Sequence, residues 1–169
     1  MSRTAGPTVF YTTLQRRLHW LVIILLLGQY LLQGPMRDAI AAIERQETLG
    51  FTQFLVTTVH TWSGIGIAAL MLWRWQLRKR AVPLNGGHLS QKNAMWVAAH
   101  HVSMYAVTLA MVISGAMHYY LGWAFAARWH ELGKWLLLAL IIFHVAGALI
   151  HLRKGSTVLH RMMGRNSLR

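Results

Sequence analysis

The chain has no cysteine among its 169 residues. This absence excludes disulfides, thiolate metal centres, thiol chemistry and the covalent attachment of a haem through cysteine. Acidic residues are almost as scarce, because Asp and Glu total 4 against 17 Lys and Arg, for a formal net charge of +13. A nucleic-acid-binding protein or a disordered basic tail with this charge would be less apolar than a chain that is 55% hydrophobic and carries 8 Trp. The composition therefore indicates a small membrane protein with a basic surface.

Four apolar stretches account for most of the hydrophobic residues, and they lie at residues 13–33, 54–75, 94–120 and 129–152. About 20 apolar residues are needed to cross the ~30 Å of hydrocarbon in a bilayer. A backbone in lipid has no water to satisfy its polar groups, so each spanning segment must be helical. We predict an all-α integral membrane four-helix bundle, with residues 1–169 forming one membrane domain.

The segments between these stretches carry the signals of turns and loops. Gly34 and Pro35 are expected to end the first helix, and residues 36–53 to form a connector that contains a surface helix. Residues 76–93 read as a loop, and residues 121–128 as a tight link between the third and fourth spans.

The basic residues are distributed unequally between the two sides of such a bundle. With four spans, the N-terminus, the middle loop and the C-terminus share one side. That side carries 13 of the 17 basic residues and none of the acidic ones. Basic residues concentrate on the cytoplasmic side of membrane proteins. We therefore expect both termini in the cytoplasm, and we expect no nucleic-acid partner.

Histidines inside the spans are the main functional signal, because an ionisable residue in a membrane is costly and marks a functional site by default. His130 and His144 are 14 residues apart, which places them within about 40° on one helix face and about 21 Å apart along it. His60 lies at the depth of His130, and His19 at the depth of His144. Two such pairs, one in each leaflet, match what two stacked b-type haems require.

Other interpretations of these histidines remain open. A single intramembrane histidine is often a hydrogen-bonded packing residue, and zinc would need four ligands at one point. His100 or His101 competes with His19 as a ligand on the inner side. Arg74 suits a haem propionate or a quinone oxygen, but it also suits a basic anchor at the interface. His151 and His101 are further candidates for a quinone or a propionate, and an interfacial, solvated role is equally open for His151.

Several short motifs along the chain resemble those of the bacterial cytochrome b561 family, which are small di-haem membrane proteins. The motifs are Arg17-Leu18-His19-Trp20, Val59-His60 with Gly64 and Arg74, His101 with Tyr105, Trp129-His130-Glu131 with His144, and Arg161-Met162-Met163. Their order and spacing carry the resemblance, which covers nearly the whole chain. It implies two haem b groups, with His19 and His144 as axial ligands on the cytoplasmic side and His60 and His130 on the periplasmic side.

The same resemblance implies a function and a location. Such proteins lie in the bacterial inner membrane and exchange electrons between the quinone pool, such as ubiquinone, and a periplasmic donor or acceptor. One branch oxidises superoxide and reduces ubiquinone, and it has a longer outer connection than residues 121–128. Related cytochromes anchor larger redox enzymes in the membrane. Four alternatives are therefore open at this point. The chain is a quinone-linked oxidoreductase, a superoxide oxidase, an anchor subunit that docks a periplasmic redox protein, or a haem-free membrane scaffold.

Overall fold

The structure is a computed structural model that describes residues 12–80 and 91–153. Within these ranges the chain forms helices and no strand. The helices are α1 (Thr13–Leu31), α2 (Gln33–Glu44), α3 (Phe51–Arg80), α4 (Gln91–Leu121) and α5 (Ala124–Arg153). The prediction of an all-α fold is confirmed.

Helix α1 begins with a capping box and ends earlier than its sequence indicates. The Thr12 hydroxyl accepts a bond of 3.1 Å from the Gln15 N–H, and the Gln15 side chain accepts one of 2.9 Å from the Thr12 N–H. The expected stop at Gly34 and Pro35 is wrong, because α1 ends at Leu31 and α2 starts at once with a bend of 54°. Pro35 lies in the first turn of α2, where its missing N–H removes no helical hydrogen bond.

Three helices, α3, α4 and α5, are each long and apolar enough to cross a membrane, and the bent pair of α1 and α2 brings the number of candidate spans to four. Large apolar side chains point outward along these helices. Phe143 is 69% exposed, for example, and Trp129 is 66% exposed. Apolar side chains exposed along helices of this length are typical of a surface that contacts lipid. The fold is thus an all-α membrane bundle, as the composition predicts.

The helices pack as two pairs. Helix α4 lies along α5, and α1 lies along α3, while α2 also rests on α3. The pairs meet at a small apolar cluster that consists of Val22 of α1, Ile67 and Met71 of α3, and Tyr105 of α4. Helices α1 and α5 therefore belong to different pairs, and their side chains can face each other across the bundle.

The link between α4 and α5 is shorter than the expected residues 121–128. It consists of Gly122 and Trp123, because α5 already begins at Ala124. Gly122 has a φ of 66°, a left-handed conformation that glycine adopts without a steric penalty. Its N–H donates to the carbonyl of His118 at 3.0 Å and closes the end of α4. His130 therefore lies within the second turn of α5 and is held by a helix.

The loop between α2 and α3 carries an ion pair on its surface. The Arg45 Nε donates to the Glu47 carboxylate at 2.7 Å, and both side chains are exposed. The hydrogen bond and the opposite charge raise the pKa of Arg45 and lower the pKa of Glu47. Because the pair is exposed and screened, it adds little to stability.

Candidate functional site

The first pair of histidines joins α3 and α5. The rings of His60 and His130 have their centres 6.2 Å apart. The His130 Nδ1–H donates to the carbonyl of Met111 on α4 at 2.8 Å. This bond fixes the tautomer of His130 and leaves its Nε2 unprotonated, as a metal ligand must be. The Nδ1 of His60 is buried and has no hydrogen-bond partner in the described part of the chain.

Two neighbouring residues of α1 tie the helices that carry this pair. The Gln29 Nε2 donates to the carbonyl of His60 at 2.9 Å and to the hydroxyl of Ser63 at 2.7 Å, both on α3. The Tyr30 hydroxyl donates to the carbonyl of Lys134 on α5 at 2.8 Å. Helix α1 thereby fixes α3 and α5 relative to each other next to His60 and His130.

The second group of histidines joins α1, α4 and α5. The ring centres of His19 and His144 are 6.2 Å apart, the same separation as in the first pair. His100 and His101 also approach His144, with ring centres at 6.0 Å and 5.4 Å. The Nδ1–H of His101 donates to the carbonyl of Val97 at 2.6 Å, and the buried Nε2 of His100 has no partner among the described residues. The structure thus brings His19 and His144 together. It also places His100 and His101, the two residues that compete with His19, next to His144.

The ring separations can be compared with the needs of a metal ion. An ion held between two imidazole nitrogens at ~2 Å from each one sets the ring centres ~6 Å apart, and both pairs have 6.2 Å. Across residues 12–80 and 91–153, no three or more His, Cys, Asp or Glu converge on one metal position. A structural zinc site takes four protein ligands at one point. Two axial imidazoles suit an iron whose equatorial positions are filled by a porphyrin.

The glycines near the histidines differ in their surroundings. A Cβ built on Gly66 of α3 or Gly147 of α5 would meet nothing within 4 Å, whereas one on Gly64 would lie 3.7 Å from the Gln29 amide nitrogen. A Cβ on Gly115 would lie 2.9 Å from the ring of His130. Gly66 and Gly147 thus leave open space beside histidine-bearing segments, which a flat group needs, and Gly115 serves close packing of α4 on α5.

The remaining candidates lie at different distances from the histidine pairs. The Arg74 Nη1 donates to the carbonyl of Gln15 on α1 at 2.8 Å, one turn before His19. Its charge acts on both His19 and His144, so it belongs to the inner group. His151 is half-buried, and no hydrogen bond or ring contact of its side chain is seen within residues 12–80 and 91–153. His88 and His160 lie outside the described residues, as do Arg161, Met162 and Met163.

Several supporting residues escaped the reasoning from sequence. Gln29 and Tyr30 had a usable signal, because polar groups within an apolar span have to find hydrogen-bond partners. His118 of α4 also has a buried Nδ1, and this atom has no hydrogen-bond partner in the described part of the chain. The carbonyl of Met111 carries no signal at all, because every residue has one.

A family model described as prokaryotic cytochrome b561 matches residues 10–165, which is nearly the whole chain. No curated protein matches it.

Proposed function

Because the chain belongs to the prokaryotic cytochrome b561 family, we propose that it holds two haem b groups, one between His60 and His130 and one between His19 and His144. As a member of this family, the chain is a multi-pass bacterial membrane protein that transfers electrons through haem b. Haem b supplies one-electron chemistry when it is bound. What the chain itself contributes is the position, orientation and protonation of the four imidazoles.

The observation that carries the proposal is the equal separation of the two histidine pairs. Each pair joins imidazoles from different helices at 6.2 Å between ring centres. Packing histidines would instead hydrogen-bond to each other or to a neighbour. The buried Nδ1 of His60 has no partner within residues 12–80 and 91–153, which argues against that interpretation. At the inner site the rings of His100 and His144 are nearly parallel, at 9°. The rings of His19 and His144 lie at 68°, close to the 65° of the outer pair, which supports His19 as the partner.

The two sites lie at different depths of the membrane. His130 and His144 are 14 residues apart on α5, which corresponds to about 21 Å along the helix axis. One haem in each leaflet would carry electrons across the bilayer. The axial nitrogens of neutral imidazoles and the burial of the sites would set the reduction potentials.

We further propose that electrons pass between a quinone at the inner site and a redox protein in the periplasm. Arg74 and His101 support the quinone part, because a guanidinium and an imidazole next to His19 and His144 provide donors for a quinone oxygen. His151 lies seven residues after His144 on α5, about two helical turns further along, and is the third candidate.

The orientation in the membrane is part of the proposal. The 13 basic residues of the termini and the middle loop support a cytoplasmic location for these segments, because basic residues concentrate on that side of a membrane. The inner site then faces the cytoplasm, the His60–His130 site faces the periplasm, and the membrane is the bacterial inner membrane.

The haem content of purified variants tests the proposal. The wild-type chain should contain two haem b per polypeptide by reduced-minus-oxidised difference spectra and haem extraction. His130→Ala and His144→Ala should each retain one, and the double variant none, because an iron that loses an axial imidazole loses much of its hold.

Phe143→Ala is the matched control, since it alters the residue beside His144 on the same helix but points outward, with 69% of its surface exposed. It should retain both haems. Full haem content in His130→Ala or in His144→Ala would contradict the assignment of the ligands.

A further inference from the structure

The carbonyl of Met111 on α4 is shared by several donors. It accepts the Nδ1–H of His130 at 2.8 Å and the hydroxyl of Ser114 at 3.1 Å. The geometry of an α-helix also directs the N–H of Gly115 to the same oxygen. A carbonyl oxygen has two lone pairs, so three donors compete for them. The hydrogen bond from the His130 Nδ1–H to this carbonyl is therefore weaker than it would be if Ser114 had no hydroxyl.

The ring of His130 has little freedom to leave this carbonyl. A Cβ on Gly115 would lie 2.9 Å from its Cε1 and 3.0 Å from its Nδ1, which shows that the imidazole rests directly on the backbone of α4. The hydroxyl of Ser114 shares the acceptor of the Nδ1–H bond, so it can change the strength of that bond without moving the ring.

We propose that Ser114 is a positioning residue that raises the reduction potential of the haem between His60 and His130, by competing with His130 for the carbonyl of Met111. A stronger bond from the Nδ1–H makes an imidazole a more basic ligand. A more basic axial ligand favours ferric over ferrous iron and so lowers the potential. This inference rests on the proposed haem at this site.

The test is a spectroelectrochemical titration of the holoprotein and of the variant Ser114→Ala. The potential assigned to the outer haem is the one whose signal is lost in His130→Ala. In Ser114→Ala this potential should fall by up to ~59 mV, which corresponds to about a tenfold change in the equilibrium constant for a one-electron reduction. The potential of the inner haem should stay unchanged. Ser114→Thr retains the hydroxyl and should restore the wild-type value.

Ser103→Ala is the matched control. Ser103 also lies on α4 and donates to a carbonyl within the helix, that of Ala99 at 3.0 Å, but no described histidine donates to that carbonyl. It should shift neither potential. An outer-haem potential that is unchanged or higher in Ser114→Ala, or an equal shift of both haems, would overturn the inference. A wild-type protein without haem at His130 would overturn the proposed function as well, so the two failures are distinguishable.

Discussion

Gln29 offers a test of how α1 holds the outer site together. Its amide donates to the carbonyl of His60 and to the hydroxyl of Ser63, and its Nε2 lies 3.7 Å from where a Cβ on Gly64 would be. The variant Gln29→Met keeps nearly the same length and volume and removes both donors. It therefore isolates the hydrogen bonds from the packing.

The magnitude follows from the number of bonds removed. Hydrogen bonds between helices in membranes contribute ~0.6 kcal/mol on average and up to ~1.7 kcal/mol, so the loss of two should cost about 1–2 kcal/mol. For a chain of 169 residues, each kcal/mol shifts the unfolding midpoint by ~2–4 °C. We expect the midpoint of Gln29→Met to fall by ~2–8 °C.

The assay is thermal loss of the Soret absorbance in detergent, combined with the haem-to-protein ratio of the purified variant. Because the bonds of Gln29 attach α1 to the backbone of His60, the outer haem should be lost at a lower temperature than the inner one. Gln33→Met is the matched control, since no side-chain hydrogen bond of Gln33 is seen within the described residues. An unchanged midpoint, or equal loss of both haems, would refute the role given to Gln29.

Two further predictions concern the outer and inner sites. Gly115→Ala adds a methyl group 2.9 Å from the ring of His130. It should weaken the binding of the outer haem by about 10–100-fold, and the haem content of the purified variant measures this loss. Gly133→Ala should have a smaller effect, because its methyl group meets the flexible thioether of Met111; equal effects would contradict the explanation. Arg74→Gln should raise the ubiquinol concentration for half-maximal haem reduction about tenfold through loss of a charged donor, and an unchanged value would remove Arg74 from the quinone site.

The spacing of histidines along the spans was enough to find the pairs that the structure brings together. His130 and His144 share one face of α5 because 14 residues is close to four helical turns. The depths of His19 and His60 follow from the direction of each span. The all-α fold followed from the lengths of the apolar stretches, since lipid leaves the backbone no other option.

The details of the chain between and beside these residues could not be predicted in the same way. The break after Leu31 depends on how α2 rests on α3, which is a tertiary contact. The sequence predicts that either His100 or His101 competes at the inner site. That both lie near His144 depends on the rotation of α4 about its axis, and the hydropathy of a helix that faces lipid on most sides does not fix that rotation. Backbone acceptors such as the Met111 carbonyl have no residue type to reveal them.

The position of iron in the holoprotein tests the central claim most directly. Anomalous diffraction at the iron absorption edge should show two iron atoms per chain, about 21 Å apart along α5, one between His60 and His130 and the other between His19 and His144. A single iron, or an iron ligated by His100 or His101 in place of His19, would contradict the account.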